Sequence, residues 1–304
     1  MRKYFILAAT ALAMVACSNE ENENAVQNTD NVIRLTASVG AAQTRAAYNI
    51  QSTAFDANEL INVECTPVGG SPASKVYTTS AASEGVNDLT IESNPFYWPA
   101  NGANVSLKAY YPSTVTSETT SFSVQEDQSA ATGYKASDLM YSAALNVDNT
   151  TANHVLRHGF TFTHALTKII VKLTPGAGMT ADDLAAATIT LHAKKTATII
   201  AGVVDAASGD VVNIGMGTGS NNTDGIAAII VPQTIDGSET AQNFITVTSG
   251  GNPVTYKLAL VKAFEAGKVY TYNLTVSMAD IELKSTTIND WTSGGDAIPG
   301  SVEI

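Results

Sequence analysis

Charge is scarce in this chain, and positive charge scarcer still. Charged residues make up 14% of the sequence, and 16 basic side chains stand against 28 acidic ones, a net charge of −12. A surface so short of cations is poorly suited to tracking a phosphate backbone, which argues against nucleic acid as a partner. Cysteine is nearly absent. The two present are Cys17, inside an N-terminal leader, and Cys65, so no disulfide framework is expected. Cys65 ends the strand-like run Ile61-Asn62-Val63-Glu64-Cys65 and reads as a small buried hydrophobe. Of the four histidines, His154 and His158 are four apart on a strand-like segment, where that spacing does not converge on one ion, and no HExxH occurs. His164 and His192 sit in apolar alternation and read as core or edge residues, so no metal site is expected. Gly215 to Ser220 is glycine-rich but lacks the Lys-Ser/Thr and the helix of a phosphate loop, and reads as a hairpin loop. There is no GxSxG elbow and no pair of carboxylates in an apolar setting. Neither catalytic residues nor a cofactor are indicated.

What the chain does have is β-strand chemistry. Val, Ile, Thr and Tyr recur between clusters of Gly, Asn, Asp and Ser, a composition suited to many short strands and few helices. Alternation marks Glu59–Thr66, Lys75–Thr79, Asp88–Glu92 and Asn104–Tyr111, then Leu139–Leu145, Val155–Leu166 and Lys168–Leu173. Further strands are expected at Thr188–Ala193, Thr196–Val204, Val211–Ile214, Ile226–Val231, Phe244–Thr248, Val254–Val261, Val269–Met278 and Ile281–Ile288. Ala207-Ser208-Gly209-Asp210 and Ser249-Gly250-Gly251-Asn252 read as turns. Thr180, with Asp183 three residues on, opens the one short helix. Pro95 and Pro99 bar Asn94–Pro99 from a central strand, so Trp98 is expected to pack over the core edge, with Tyr97 and Trp98 the alternative place for sugar stacking. Ser113–Ala136 reads as an exposed loop or hairpin. At 304 residues the length suits two domains, and two successive β-sandwiches of about seven strands would fit the count.

The N-terminal region is built differently. Met1-Arg2-Lys3 precedes an apolar run, Tyr4–Val15, shorter than the ~20 residues needed to span a bilayer, which marks a secretory signal. Met14-Val15-Ala16-Cys17 resembles a bacterial lipobox with Cys17 as the acylated residue, and acyl chains there would anchor the protein to outer-membrane lipid. Ser18–Glu23 resembles an acidic surface-export signal, and Ser18–Asn31 has almost no apolar content. Then comes a strand pattern, with Ile33, Leu35, Ala37 and Val39 alternating with Arg34, Thr36 and Ser38. Arg45 follows among small residues, Ala41, Ala42, Thr44, Ala46 and Ala47, where a trypsin-like protease could reach it. The strand therefore reads as a removable placeholder and the Arg45-Ala46 bond as its release point.

Several motifs in order resemble the fimbrillin family, the type V pilin subunits of Bacteroides-type bacteria. They are the lipobox with its early strand and Arg45; Tyr97-Trp98-Pro99 with Lys108-Ala109-Tyr110-Tyr111-Pro112; Asp138-Leu139-Met140-Tyr141; and Phe162-Thr163-His164-Ala165-Leu166-Thr167-Lys168. Ile229–Thr234, Gly267–Leu274 and Ile288-Asn289-Asp290-Trp291 complete the set. The resemblance implies an all-β chain of two tandem transthyretin-like, Greek-key β-sandwich domains. It implies a signal peptide at 1–17, a tether and removable strand at 18–45, domains at 46–166 and 167–291, and a donor-strand tail at 292–304. It also implies an outer-membrane surface lipoprotein that an arginine-specific protease matures into a fimbrium subunit, joined to other fimbrillin subunits by strand exchange in support of adhesion. The tail carries Ile298, Val302 and Ile304 on one face of an extended strand, interrupted by Pro299 and Gly300. The alternative is a non-polymerising or tip-located surface lipoprotein that binds a glycan or host ligand through Tyr97 and Trp98 or the Ser113–Ala136 segment. N-terminal sequencing of the surface-exposed protein is expected to begin at Ala46; a chain beginning at lipidated Cys17 would favour the anchored alternative.

Overall fold

The computed structural model describes residues 31–40, 54–200, 203–218 and 225–291. Its first half contains β1 (Arg34–Val39), β2 (Leu60–Pro67), β3 (Ala73–Thr79), β4 (Asn87–Thr90), β5 (Val105–Tyr111), β6 (Ser121–Ser123), α1 (Ala131–Ala136), β7 (Met140–Ser142), β8 (Leu145–Val147), α2 (Thr151–His154) and β9 (Arg157–His164). The second half contains β10 (Thr167–Pro175), α3 (Ala181–Ala185), β11 (Thr188–Ile200), β12 (Val203–Thr218), β13 (Ile226–Ile230), β14 (Gln233–Asp236), β15 (Gln242–Ser249), β16 (Asn252–Leu258), β17 (Val261–Phe264), β18 (Lys268–Val276) and β19 (Ile281–Asp290). The expected all-β character holds, with three short helices among the described residues where one was expected.

The first sheet runs β2-β3-β4-β1-β9-β7-β5, and a β2–β5 pairing closes these seven strands into a barrel-like ring, with β8 added outside on β5. Closure leaves no free edge within the ring. Inside lies a core that includes Leu35, Ile61, Val63, Leu107, Phe160 and Phe162. The sheets β13-β10-β18-β19 and β12-β11-β15-β16 share a second core, to which Ile169, Leu191, Phe244 and Tyr272 contribute. That core also takes Tyr110, Val115, Phe122, Val124, Tyr134 and Leu139 from before the boundary expected near Ala165–Lys168.

Ser113–Ala136 is therefore not the exposed loop its polarity suggests. Its β6 pairs with β11, and α1 buries Tyr134. The apolar residues are too widely spaced to show a period, yet each is held in the second core by its neighbours. Ala207–Asp210 is not a turn either. It lies within β12, where the register against β11 slips between Lys194 and Thr196, and Gly209 takes the left-handed backbone (φ +78°) that this irregularity requires. Gly215 stands in β12 rather than in a hairpin loop; its N–H donates to the Glu126 carbonyl at 2.7 Å, and its own carbonyl accepts from Gln128 N–H at 2.9 Å. The expected turn at Gly250-Gly251 is present as a two-residue hairpin loop with both φ values positive. The expected helix cap is also present, with Thr180 and Asp183 forming a reciprocal capping box on α3.

Asn87 fastens β4 to the segment before β2. Its amide accepts from Phe55 N–H at 3.0 Å and donates to the carbonyls of Phe55 at 2.9 Å and Ser80 at 2.8 Å, with no solvent exposure. Asn87→Ala leaves three backbone groups without these partners, and is expected to cost about 2–4 kcal/mol in urea unfolding without changing the β-sheet circular dichroism signature.

Candidate functional site: the β1 position

β1 enters the ring between strands that come from distant parts of the chain. It runs antiparallel to β4, with Leu35, Thr36 and Ala37 opposite Leu89, Asp88 and Asn87. On its other side it runs parallel to β9, from Arg34 opposite Arg157 to Val39 opposite Phe162. A strand hydrogen-bonded on both flanks satisfies its own backbone and that of both neighbours. The pairing extends past both ends: Ile33 N–H donates to the Phe96 carbonyl, Trp98 N–H to the Asn31 carbonyl and Gly40 N–H to the Phe162 carbonyl, each at 2.9 Å.

The period-2 pattern of the sequence explains the side chains. Ile33, Leu35, Ala37 and Val39 are all buried in the barrel core. Together they supply on the order of 5 kcal/mol or more of apolar burial, before the cost of ordering the strand. On the outer face Arg157 of β9 and Asp88 of β4 form an ion pair that joins the two strands flanking β1. Both partners are largely exposed, so this clasp contributes little energy. Arg34 Nη1 donates to the Val155 carbonyl at 3.4 Å.

The aromatic segment beside the start of β1 has a structural role. Trp98 is 2% exposed, stacked on His154 (4.8 Å, 19°) and edge-on to His158 (5.6 Å, 78°). The histidines thus meet at an indole. His154 lies on α2 rather than on a strand, and its Nε2 lies 2.6 Å from Asn149 Oδ1. Among the described residues no cluster of three potential metal ligands occurs. With both histidines against its ring, Trp98 does not present the open face that sugar stacking needs, whereas Tyr97 remains partly exposed. His192 Nε2 lies 2.8 Å from Thr246 Oγ1. Cys65 is buried, and burial pushes its thiol up to about 11, the opposite of a nucleophile's requirement. Cys17, Arg45, Ala46, Ile298, Val302 and Ile304 lie outside the described residues.

A second cluster, unforeseen as a unit, gathers where β9 of the ring gives way to β10. Asp138 Oδ1 lies 2.7 Å from His164 Nδ1, and His164 stacks face to face on Trp291 at 3.9 Å. Lys168, 2% exposed, sets its ammonium 5.5 Å from the Trp291 ring and 5.8 Å from that of Tyr134. Each of Asp138, His164 with Lys168, and Trp291 lies in a different one of the motifs that carry the fimbrillin resemblance, and the signal that could have found the cluster was Lys168, a lysine set directly before the apolar run Ile169-Ile170-Val171 of β10. Burial lowers the Lys168 ammonium to about 7, and the Asp138 charge opposes that shift only in part.

The chain is an all-β protein whose first barrel is completed by β1, the N-terminal strand among the described residues. A model of the fimbrillin-like proteins matches residues 44–291, and the chain belongs to that family. It is 29% identical to Fim1C, a candidate fimbrium subunit of Bacteroides uniformis, over 99% of both chains. Its fold is shared by the crystal structure of a candidate cell adhesion protein of the same species, at TM-score 0.63 and 24% identity over 88% of this chain and all of that one. Another from Bacteroides ovatus superposes at TM-score 0.59 and 16% identity, covering 87% of this chain and 99% of that one.

Lys168 gives a pH-dependent stability of defined sign. Its folded pKa lies below the unfolded value, so the unfolded chain binds more protons between pH 7 and 10.5; stability rises with pH across that window, and the full penalty is present below it. The urea midpoint of the parent is expected to rise from pH 7 to pH 9, and that rise should largely vanish in Lys168→Met. A rise of equal size in the variant would assign the effect to another group.

Proposed function

We propose that the chain is a structural subunit of a surface fimbria whose β1 is a provisional occupant of its barrel. It reaches the outer membrane as a lipoprotein acylated on Cys17, is cut after Arg45 by an arginine-specific protease, and polymerises when the tail of another subunit enters the vacated position through Ile298, Val302 and Ile304. Two tandem transthyretin-like domains, 46–166 and 167–291, form the body between cleavage site and tail. Adhesion follows from display of the assembled filament.

The observation that carries this reading is the place of β1. It is the first strand among the described residues, yet it sits inside the ring between β4 and β9, so its departure would leave two unpaired strand edges above an apolar slot. Such a slot is unstable in water and strongly selective for an extended apolar segment. The family match begins at residue 44, leaving β1 outside the matched region, which accords with a strand that is not part of the mature subunit. Membership of the fimbrillin-like family and likeness to a candidate fimbrium subunit support the same role.

Arg45→Ala is expected to leave an unprocessed precursor at the cell surface and no polymer ladder on a denaturing gel. Deleting Asp296–Ile304 should also abolish the ladder, while the monomer still folds and is still cut. Normal processing of Arg45→Ala would move the cleavage site; polymers from the truncated chain would refute the tail as donor.

A further inference from the structure

The four inward positions of β1 are not equivalent, and the third is the discriminating one. Ala37 has no solvent exposure and lies between Phe160 of β9 and Asn87 of β4, themselves 1% and 0% exposed. The phenylalanine ring fills the core beside position 37, and the Asn87 amide is held in place by its three hydrogen bonds. Space at this position is bounded by a buried ring and a hydrogen-bonded amide, so enlarging the side chain there displaces packed groups. Position 35 has Leu89 on one side and the partly exposed His158 on the other. Position 39 pairs with Phe162 alone, since β4 pairing covers only residues 35–37. The slot therefore accepts large, small, large at positions 35, 37 and 39.

Resting on the strand-exchange reading above, we infer that the slot selects its donor by size at position 37, and that Gly300 of the tail is the residue that occupies it. Thirteen residues, 292–304, follow Trp291, enough to span the slot in extended form. With Ile298, Gly300, Val302 and Ile304 on one face, Gly300 is the one small residue in the row. Placing it at 37 puts Ile298 and Val302 at 35 and 39 whichever way the strand runs, because the pattern is symmetrical about the glycine. Shifting by two residues puts Ile298 or Val302 against Phe160 and Asn87 and leaves a void at a neighbouring large position, combining overpacking with a cavity. Pro299 then falls at the outward position 36 or 38, where its ring clears the core; because this position lies inside the ring rather than at an edge, its missing N–H leaves one ladder bond unmade, a cost this register carries. The Pro-Gly interruption becomes a register mark in an otherwise repetitive apolar strand.

The test uses the full-length chain in a bacterial host that assembles the filament, with denaturant-resistant polymer measured by blotting. Gly300→Ala is expected to keep polymer near the parent level, and Gly300→Leu to lose it by about ten-fold or more. Folding is read separately as the thermal midpoint of chains that also carry Arg45→Ala: Gly300→Leu leaves it unchanged, while Ala37→Leu, which overfills the same space from β1, lowers it. Parent-level polymer from Gly300→Leu, loss of polymer from Gly300→Ala equal to that from Gly300→Leu, or an unaltered midpoint in Ala37→Leu would each overturn the size rule while leaving strand exchange standing. Persistence of polymer after deletion of Asp296–Ile304 would remove strand exchange through this tail, and the size rule with it.

Discussion

A strand completing a closed ring is the constraint on which the rest of this molecule depends. Seven strands close only because β1 bridges β4 and β9, and both neighbours direct backbone groups at it. Nothing else among the described residues occupies that place. Its inward residues, Ile33, Leu35, Ala37 and Val39, are also part of the barrel core, so hydrogen bonding and apolar burial are lost or gained together. β1 therefore supplies both terms at once, as only an extended apolar strand can.

The second half of the chain is tied to this barrel through a compact set of charged and aromatic side chains. Asp138 follows α1, His164 ends β9, Lys168 lies at the start of β10, and Trp291 follows β19. Their stacking and pairing bring the residue after β19 against the end of β9 and the start of β10. On the barrel side, Lys135 of α1 reaches Asp56 and Glu59 at 2.6 Å each, and Tyr111 donates to Glu59 at 3.0 Å. A buried lysine lowered to about 7 is a costly component of such a joint, and its tolerance there reflects two aromatic faces and a nearby carboxylate.

Much of the fold was legible in the sequence where side chains alternate. The strand at Ile33–Val39, the hairpin at Gly250-Gly251, the Thr180 cap and the burial of Cys65 all follow from local pattern or turn chemistry. The errors fall where local pattern is weak and distant neighbours decide. Val115, Phe122, Val124 and Tyr134 are buried because β6 and α1 meet the second core, although Ser and Thr dominate their surroundings. Nothing local to His154 and His158 revealed that both would meet at Trp98.

The sequence by itself determined that the chain is β-rich and acidic, that its early strand has one apolar face, and that the tail has a similar face broken by Pro299-Gly300. It did so because side-chain alternation, turn residues and charge are local properties, readable over a few positions. Only the tertiary structure decided that the early strand lies inside a ring rather than at an edge, and that Ala37 stands between Phe160 and Asn87. Those neighbours arrive from residues 87 and 160, and which strands flank a given strand is fixed by barrel closure and core packing, to which no short window of sequence has access.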